Sequence, residues 1–178
     1  MVKKLFQEYV YQHPWAVVTE ATWLKYPNPF CPHVLDVDVI SRRVDDSDGF
    51  LKTRRLFTAT SPIPRGLRWL LNSDVAYAVE DSVVDPVKQR MELNLRSLTF
   101  ADIVEMKEVS TFEPHPDNSE WTLLKQHWSC EWKVSSAFRS SLEKLSAQRF
   151  LSSVANGRLA IKQLCQDIER RESPNHVS

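Results

Sequence analysis

An arginine on an apolar strand face is the first feature of this sequence that could do chemistry. Period-two alternation places Thr53, Arg55 and Phe57 on one face of a strand, and Lys52 and Arg54 on the other. Burying an unpaired guanidinium is costly, so Arg55 needs a buried carboxylate, a route to water or an anionic ligand. The pattern therefore leaves three possibilities open: an edge position with a solvated guanidinium, an internal ion pair, or a site for an anionic ligand.

A segment of mixed apolar and basic character follows this strand, at residues 60–71. It contains Ile63, Pro64, Leu67 and Trp69, and two arginines interleave them. It is too rich in proline for a strand, yet more apolar than an ordinary loop. Indole and basic side chains together are typical of a lipid interface. The alternative is a short helix whose leucines and tryptophan pack on the core.

Basic residues near the end of the chain form a third group, Arg149, Arg158 and Lys162. Arg158 and Lys162 are four residues apart and share a helix face, whereas Arg149 points the opposite way on a regular helix. A solvated helix face is the ordinary explanation for such charges.

Catalytic and cofactor motifs are missing from the sequence. It has 3 glycines, no glycine-rich phosphate loop and no nucleophile elbow. Its 5 histidines form no HExxH motif, and its 3 cysteines form no CxxC pair. We expect no metal, no cofactor, no enzymatic activity and free thiols.

Length and composition favour a single soluble domain. The chain has 178 residues, 42% of them hydrophobic, and a formal net charge of zero, so no long-range field attracts nucleic acid or an anionic membrane. No run of 18 apolar residues occurs, and residues 1–11 resemble no secretory signal or presequence. We assign residues 1–172 to the domain and 173–178 to a disordered tail.

Hydrophobic periodicity predicts an α+β fold. A short helix is expected at 15–25, and three hairpins supply strands near 34–39, 50–59, 75–84, 91–96, 103–112 and 121–134. Residues 6–11 could add a seventh strand. From residue 136 the period becomes helical, with Phe138 at the start of the apolar stripe and glycine at 157. The helix should cover the apolar face of the sheet, and periodicity alone leaves open whether the space between them is filled.

Several motifs in a fixed order resemble the PRELI/slowmo family of mitochondrial lipid-transfer proteins. They are His13-Pro14-Trp15, Tyr26-Pro27-Asn28-Pro29, Pro32-His33-Val34-Leu35, Thr53-Arg54-Arg55-Leu56, Ser82-Val83-Val84-Asp85-Pro86 and Gly157-Arg158. The resemblance covers residues 1–170. It implies a curved seven-stranded antiparallel sheet closed by helices, a cavity for one glycerophospholipid, a lid after the Arg55 strand, and a small twin-CX9C helical partner in the mitochondrial intermembrane space.

The resemblance also implies roles for individual residues. Lys25, His33 and Arg55 fall in the family's basic motifs and become candidates for the lipid head group, as do Asn156, Arg158 and Lys162 on the last helix. Ile63, Pro64, Leu67 and Trp69 fall in the apolar lid, where they would contact the membrane.

Two departures from the family pattern reduce the cationic character of the site. Asn156 stands where many relatives carry lysine, and Thr58 and Ala59 replace a basic residue. The expected function is transfer of an anionic phospholipid, phosphatidic acid before phosphatidylserine, between the outer and inner mitochondrial membranes. The alternatives are a scaffold domain with a filled core that binds a helical partner, and a small-molecule enzyme in a related fold.

Overall fold

The computed structural model describes residues 2–61 and 73–172, and these form one sheet and two helices. In chain order the elements are β1 (Lys3–Tyr11), α1 (Trp15–Trp23), β2 (Val34–Val44), β3 (Leu51–Thr60), β4 (Val75–Asp85), β5 (Arg90–Ser97), β6 (Val104–His115), β7 (Asn118–Trp132) and α2 (Ser136–Glu172).

The seven strands make one antiparallel sheet in the order β1-β7-β6-β5-β4-β3-β2. Strands β2 to β7 pair in the order in which they follow one another along the chain, as in a run of hairpins. β1 pairs with β7, so β1 and β2 are the two edges of a curved sheet that does not close. The predicted α+β class, the three hairpins and the seventh strand are confirmed.

Helix α1 is fixed to the sheet by its first tryptophan. Pro14 precedes the helix at a position where the missing backbone N–H has no helical partner to lose. The buried Trp15 donates its indole N–H to the carbonyl oxygen of Phe112 on β6 at 3.1 Å. This bond connects residues 97 positions apart and holds the chain that leads to Lys25 against the sheet.

Helix α2 runs for 37 residues without a break at Gly157. Its buried residues recur at helical spacing, and they are Leu142, Ala147, Phe150, Val154, Gly157, Ala160, Ile161, Cys165 and Ile168. The expectation that Phe138 belongs to this stripe is wrong, since its side chain is 65% exposed. Phe138 lies in the first turn of the helix, before the first buried residue, Leu142.

Two apolar clusters lie beneath α2, one at each half of the helix. Trp128 and Trp132 pack with Phe150 in the N-terminal half, whereas Met91 and Ile161 belong to the cluster of the C-terminal half. The three cysteines are free and buried, as expected. The sheet and helix therefore have solid contacts at both ends, and the region near Gly157 lies between them.

Some sequence-based predictions concern residues outside the described ranges. The lid candidates Ile63, Pro64, Leu67 and Trp69 are among these, as is the tail 173–178. Their roles stay predictions. Within the described ranges, no helix has both the length and the apolar character needed to cross a membrane.

The ring contact between Trp128 and Phe150 should be a main attachment of α2 to the sheet. Their centroids lie 5.0 Å apart at an interplanar angle of 15°, and Phe150 is 7% exposed. Phe150→Ala should destabilise the protein by about 3–5 kcal/mol in urea unfolding, because it leaves a buried void. Leu151→Ala, at a side chain that is 40% exposed on the same helix, is the control and should change stability much less. Similar losses in both variants would contradict this assignment.

Candidate functional site

A cavity of about 330 Å³ lies between α2 and the sheet. Ligand pockets span roughly 300–1,000 Å³, so this space is large enough to accept a ligand. Apolar side chains make up much of its wall, among them Phe57, Leu95, Met106, Trp128 and Phe150. The interior is thus not filled by side chains in the way that the scaffold alternative requires.

Charged residues cross the cavity floor in a single row of the sheet. Arg55 pairs with Glu80, Glu80 with Leu95, Leu95 with Glu108, and Glu108 with Trp128. Directly opposed residues on neighbouring strands point to the same face, so four hydrogen-bonded strand pairs bring these side chains side by side.

The charged row crosses β3 at the middle of the strand. Arg55 lies five residues before Thr60, the last residue of β3, or about 16 Å at 3.3 Å per residue. Phe57 and Ala78 form the next row on this face, toward the end of β3 and the beginning of β4, and keep that stretch apolar. The cavity therefore has an apolar section beside Phe57 and Ala78 and a charged section at the level of Arg55.

Arg55 forms a buried ion pair with Glu80. Its Nε and Nη2 atoms both donate to Oε1 of Glu80, at 2.9 and 2.6 Å, and the side chains of both residues are less than 10% exposed. The guanidinium also lies over the ring of Trp23, 4.7 Å from its centroid. Burial raises the pKa of Glu80, while Arg55 opposes that rise by stabilising the carboxylate.

Lys25 reaches the cavity over Gly157 of α2. A Cβ atom at position 157 would lie 2.8 Å from Nζ of Lys25, closer than real side-chain contacts allow. The absence of a side chain at Gly157 thus leaves space for the ammonium group.

Gln126 connects an anion and a cation on the cavity wall. Its amide nitrogen donates to Oε1 of Glu108 at 2.9 Å, and its amide oxygen accepts from Nη2 of Arg158 at 3.1 Å. Ser110 donates to the same Oε1 atom of Glu108 at 3.0 Å, and Arg158 lies over the ring of Tyr9. The side-chain amide of Gln126 thus lies between the carboxylate of Glu108 and the guanidinium of Arg158 and holds both in position.

The polar lining also includes a neutral imidazole and two donors without a hydrogen-bond partner among the described residues. Burial lowers the pKa of His33, and Lys25 lowers it further, so the imidazole is neutral at pH 7. The hydroxyl of Tyr11 and Nε of Arg158 are buried without a hydrogen-bond acceptor in the part of the chain that the structure describes. Both residues line the cavity, so the site has unused donors as well as cations.

The structure brings together four of the six head-group residues that the sequence proposed. Lys25, His33, Arg55 and Arg158 line the cavity, and their role in binding a head group stays a prediction. Asn156 and Lys162 are not among the lining residues, and Lys162 is exposed. Lys162 lies one helical turn after Arg158, and its side chain points to solvent although its neighbour Ile161 lines the cavity. Arg149, expected to point away, lines the cavity as well.

Sequence reasoning missed Glu80, Glu108 and Gln126. The signal was present, because Val104, Met106 and Glu108 share one face of β6 by period two, just as Arg55 shares a face with Phe57. Burying an unpaired carboxylate on an apolar strand face costs free energy, just as burying an unpaired arginine does. Which of these charges are neighbours depends on strand register, and the sequence alone does not give that.

The fold and the site define a cavity-bearing α+β domain with cations and carboxylates inside it. The chain belongs to the PRELI-like family, whose sequence profile matches residues 16–171. It is 32% identical to the "Protein slowmo homolog" of Dictyostelium discoideum over 85% of this chain and 66% of that protein, just under two thirds of its length. It is 32% identical to the mitochondrial protein UPS2 of Saccharomyces cerevisiae, over 92% and 73% of the two chains. With the mitochondrial PRELI domain-containing protein 1 of Bos taurus it shares 35% identity over 86% and 71%.

Solved structures with little sequence similarity share the fold. The TTHA0849 protein of Thermus thermophilus matches with a TM-score of 0.63 and 16% identity, over 93% of this chain and 99% of that chain. The Zhui aromatase/cyclase of a Streptomyces species matches with a TM-score of 0.57 and 13% identity over 98% of each chain. At these identities the likeness concerns the architecture alone.

Removing one partner of the buried ion pair should be costly. Glu80→Gln keeps the side-chain shape but leaves Arg55 without its counter-charge, and should reduce the free energy of unfolding by about 3–5 kcal/mol. The control is Asp81→Asn, which breaks the neighbouring exposed pair with Arg54 and should cost less than about 1 kcal/mol. Urea unfolding of both variants measures the difference, and equal effects would mean that water reaches Arg55 freely.

Proposed function

We propose that this protein is a mitochondrial phospholipid carrier that holds one anionic glycerophospholipid in the cavity beneath α2. The observation that carries the proposal is the cavity itself, with an apolar section beside Phe57 and Ala78 and a charged section at the level of Arg55. Family membership and the mitochondrial names of two relatives support the same function and compartment.

The division of the cavity matches the two parts of a phospholipid. Acyl chains against Phe57, Met106 and Phe150 are hidden from water, which stabilises the complex by about 25 cal/mol per Å² of apolar surface buried. The phosphate lies in the charged section, beside Lys25 and Arg158, where charge-assisted hydrogen bonds hold it. Transfer needs no covalent step, because the lipid moves between two apolar environments.

The finer parts of the proposal follow the family resemblance. The compartment is the intermembrane space, the direction of traffic is between the outer and inner membranes, and a small twin-CX9C helical protein is the partner. Phosphatidic acid and phosphatidylserine are the two candidate lipids. The absence of basic residues at Thr58 and Ala59 weakens the case for the more highly charged phosphate of phosphatidic acid.

Native mass spectrometry and liposome transfer test the proposal directly. The full chain should co-purify with a phospholipid and should move fluorescent anionic phospholipid between vesicles. Protein that contains no lipid and transfers none would refute the carrier function and favour the scaffold alternative.

A cavity-filling variant tests whether the space is used. Ala78→Phe puts a ring into the apolar section beside Phe57, and should reduce transfer several-fold while stability changes little, because an open cavity accepts the ring. Thr58→Phe makes the same change on the outer face of β3 and should transfer normally. Full transfer by Ala78→Phe would show that the acyl chains bind elsewhere.

Gly157→Ala separates lipid binding from stability. The new methyl group displaces the Lys25 ammonium, while alanine favours the helix by roughly 0.5–1 kcal/mol over glycine. The variant should melt at the same or a higher temperature yet bind anionic phospholipid more weakly. Ser152→Ala, on the exposed side of α2, is the control for helix propensity. Unchanged lipid binding by Gly157→Ala would remove Lys25 from the head-group site.

A further inference from the structure

Only one oxygen of the Glu108 carboxylate accepts hydrogen bonds from the residues that the structure describes. Both donors that reach this carboxylate, the hydroxyl of Ser110 and the amide of Gln126, bond to Oε1. Within residues 2–61 and 73–172 no hydrogen bond or ion pair is made to Oε2, and Glu108 lines the cavity. An ionised carboxylate has about four acceptor positions, so half of its capacity is left for a ligand.

The orientation of Gln126 shows that Glu108 is held in this position as an acceptor. The amide nitrogen faces the carboxylate, and the amide oxygen faces the guanidinium of Arg158. The reversed amide would put oxygen against carboxylate and nitrogen against guanidinium, and both contacts would be repulsive. Gln126 therefore fixes a cation and an anion at one level of the cavity.

The charges that remain for a ligand are mixed in sign. Arg55 and Glu80 neutralise each other, and the other charged lining residues are the cations Lys25, Arg149 and Arg158 and the anion Glu108. Glu108 acts electrostatically on Lys25 and on Arg158. These three residues thus form a group of two positive charges and one negative charge in the cavity.

A phosphomonoester is a poor match for this arrangement. It carries between one and two negative charges near neutral pH and has no positive group, so its oxygens would lie near the Glu108 carboxylate. A phosphoserine diester head has a phosphate and a carboxylate for the two cations, and an ammonium group for Glu108. Its charges complement those of Lys25, Arg158 and Glu108 one for one.

We propose that Glu108 is a specificity-determining residue whose Oε2 accepts a hydrogen bond from the ammonium group of an amino-phospholipid head. The inference rests on the proposed carrier function and names the lipid class that the cavity prefers, a head with an amine beside its phosphate and a second anion. Phosphatidylserine is the lipid of this chemistry among the two candidates.

The test compares three lipids in the liposome transfer assay with the full chain. Phosphatidylserine has the amine, whereas phosphatidylglycerol and phosphatidic acid are anionic and lack it. Glu108→Gln keeps an oxygen for Ser110 and Gln126 but replaces the free acceptor by an amide donor. The ratio of phosphatidylserine to phosphatidylglycerol transfer should fall at least about tenfold in this variant, as for the loss of a hydrogen bond to a charged group.

Glu105→Gln is the matched control. It removes the same charge from β6, three residues earlier on the outer face, where Glu105 pairs with Lys107. The ratio of the two lipids should stay at the wild-type value in this variant. An equal change for all three lipids in Glu108→Gln would mean that Glu108 only adjusts the net charge of the cavity, which overturns the proposal.

A change in the lipid covers the case in which Glu108→Gln does not fold. Phosphatidylserine with an acetylated amine keeps the phosphate and the carboxylate but has no ammonium group. Wild-type protein should transfer it much less than phosphatidylserine, and equal transfer overturns the role of Glu108. Wild-type protein that transfers none of these lipids would instead refute the carrier function.

Discussion

Charged groups on the concave face of the sheet constrain the rest of this structure. Arg55, Glu80 and Glu108 belong to one cross-strand row, and an apolar helix laid directly on them would remove their hydration without replacing it. α2 instead contacts the sheet through two apolar clusters, one of which includes Trp128 at the β7 end of this row. The cavity follows from the same constraint, since the space above the charges can hold water or a polar ligand but not hydrocarbon alone.

Some charges in the cavity are neutralised within the structure, whereas others are available to a ligand. Arg55 was the most conspicuous arginine in the sequence, yet it is satisfied by Glu80 and by the ring of Trp23. Lys25 and Arg158 come from the segment after α1 and from α2, and they face the sheet from the other side. A ligand head group between the two layers would therefore contact both, and would bind the helix to the sheet in the region where their own packing is interrupted.

Some of the polar residues of the cavity could be recognised from the sequence, and others could not. Alternation on β3 correctly placed Arg55 inside, and motif resemblance directed attention to Lys25 and His33, which line the cavity. Lys162 was selected with Arg158 on helical spacing, but it is exposed, because a face shared on a helix is wider than the cavity. Glu108 went unnoticed since its importance comes from Gln126 and Ser110, which lie near it only through strand pairing.

The sequence by itself determined the secondary structure, the antiparallel hairpin order, the amphipathic last helix and the family. These follow from local periodicity, turn residues and motif order, all of which act over short distances along the chain. Tertiary structure decided that the interior stays open, that Arg55 is neutralised by Glu80, and that Gly157 leaves room for the Lys25 ammonium. These three features depend on the register of seven strands and on the distance between α2 and the sheet. Packing sets that distance, and it brings together residues more than a hundred positions apart in the sequence.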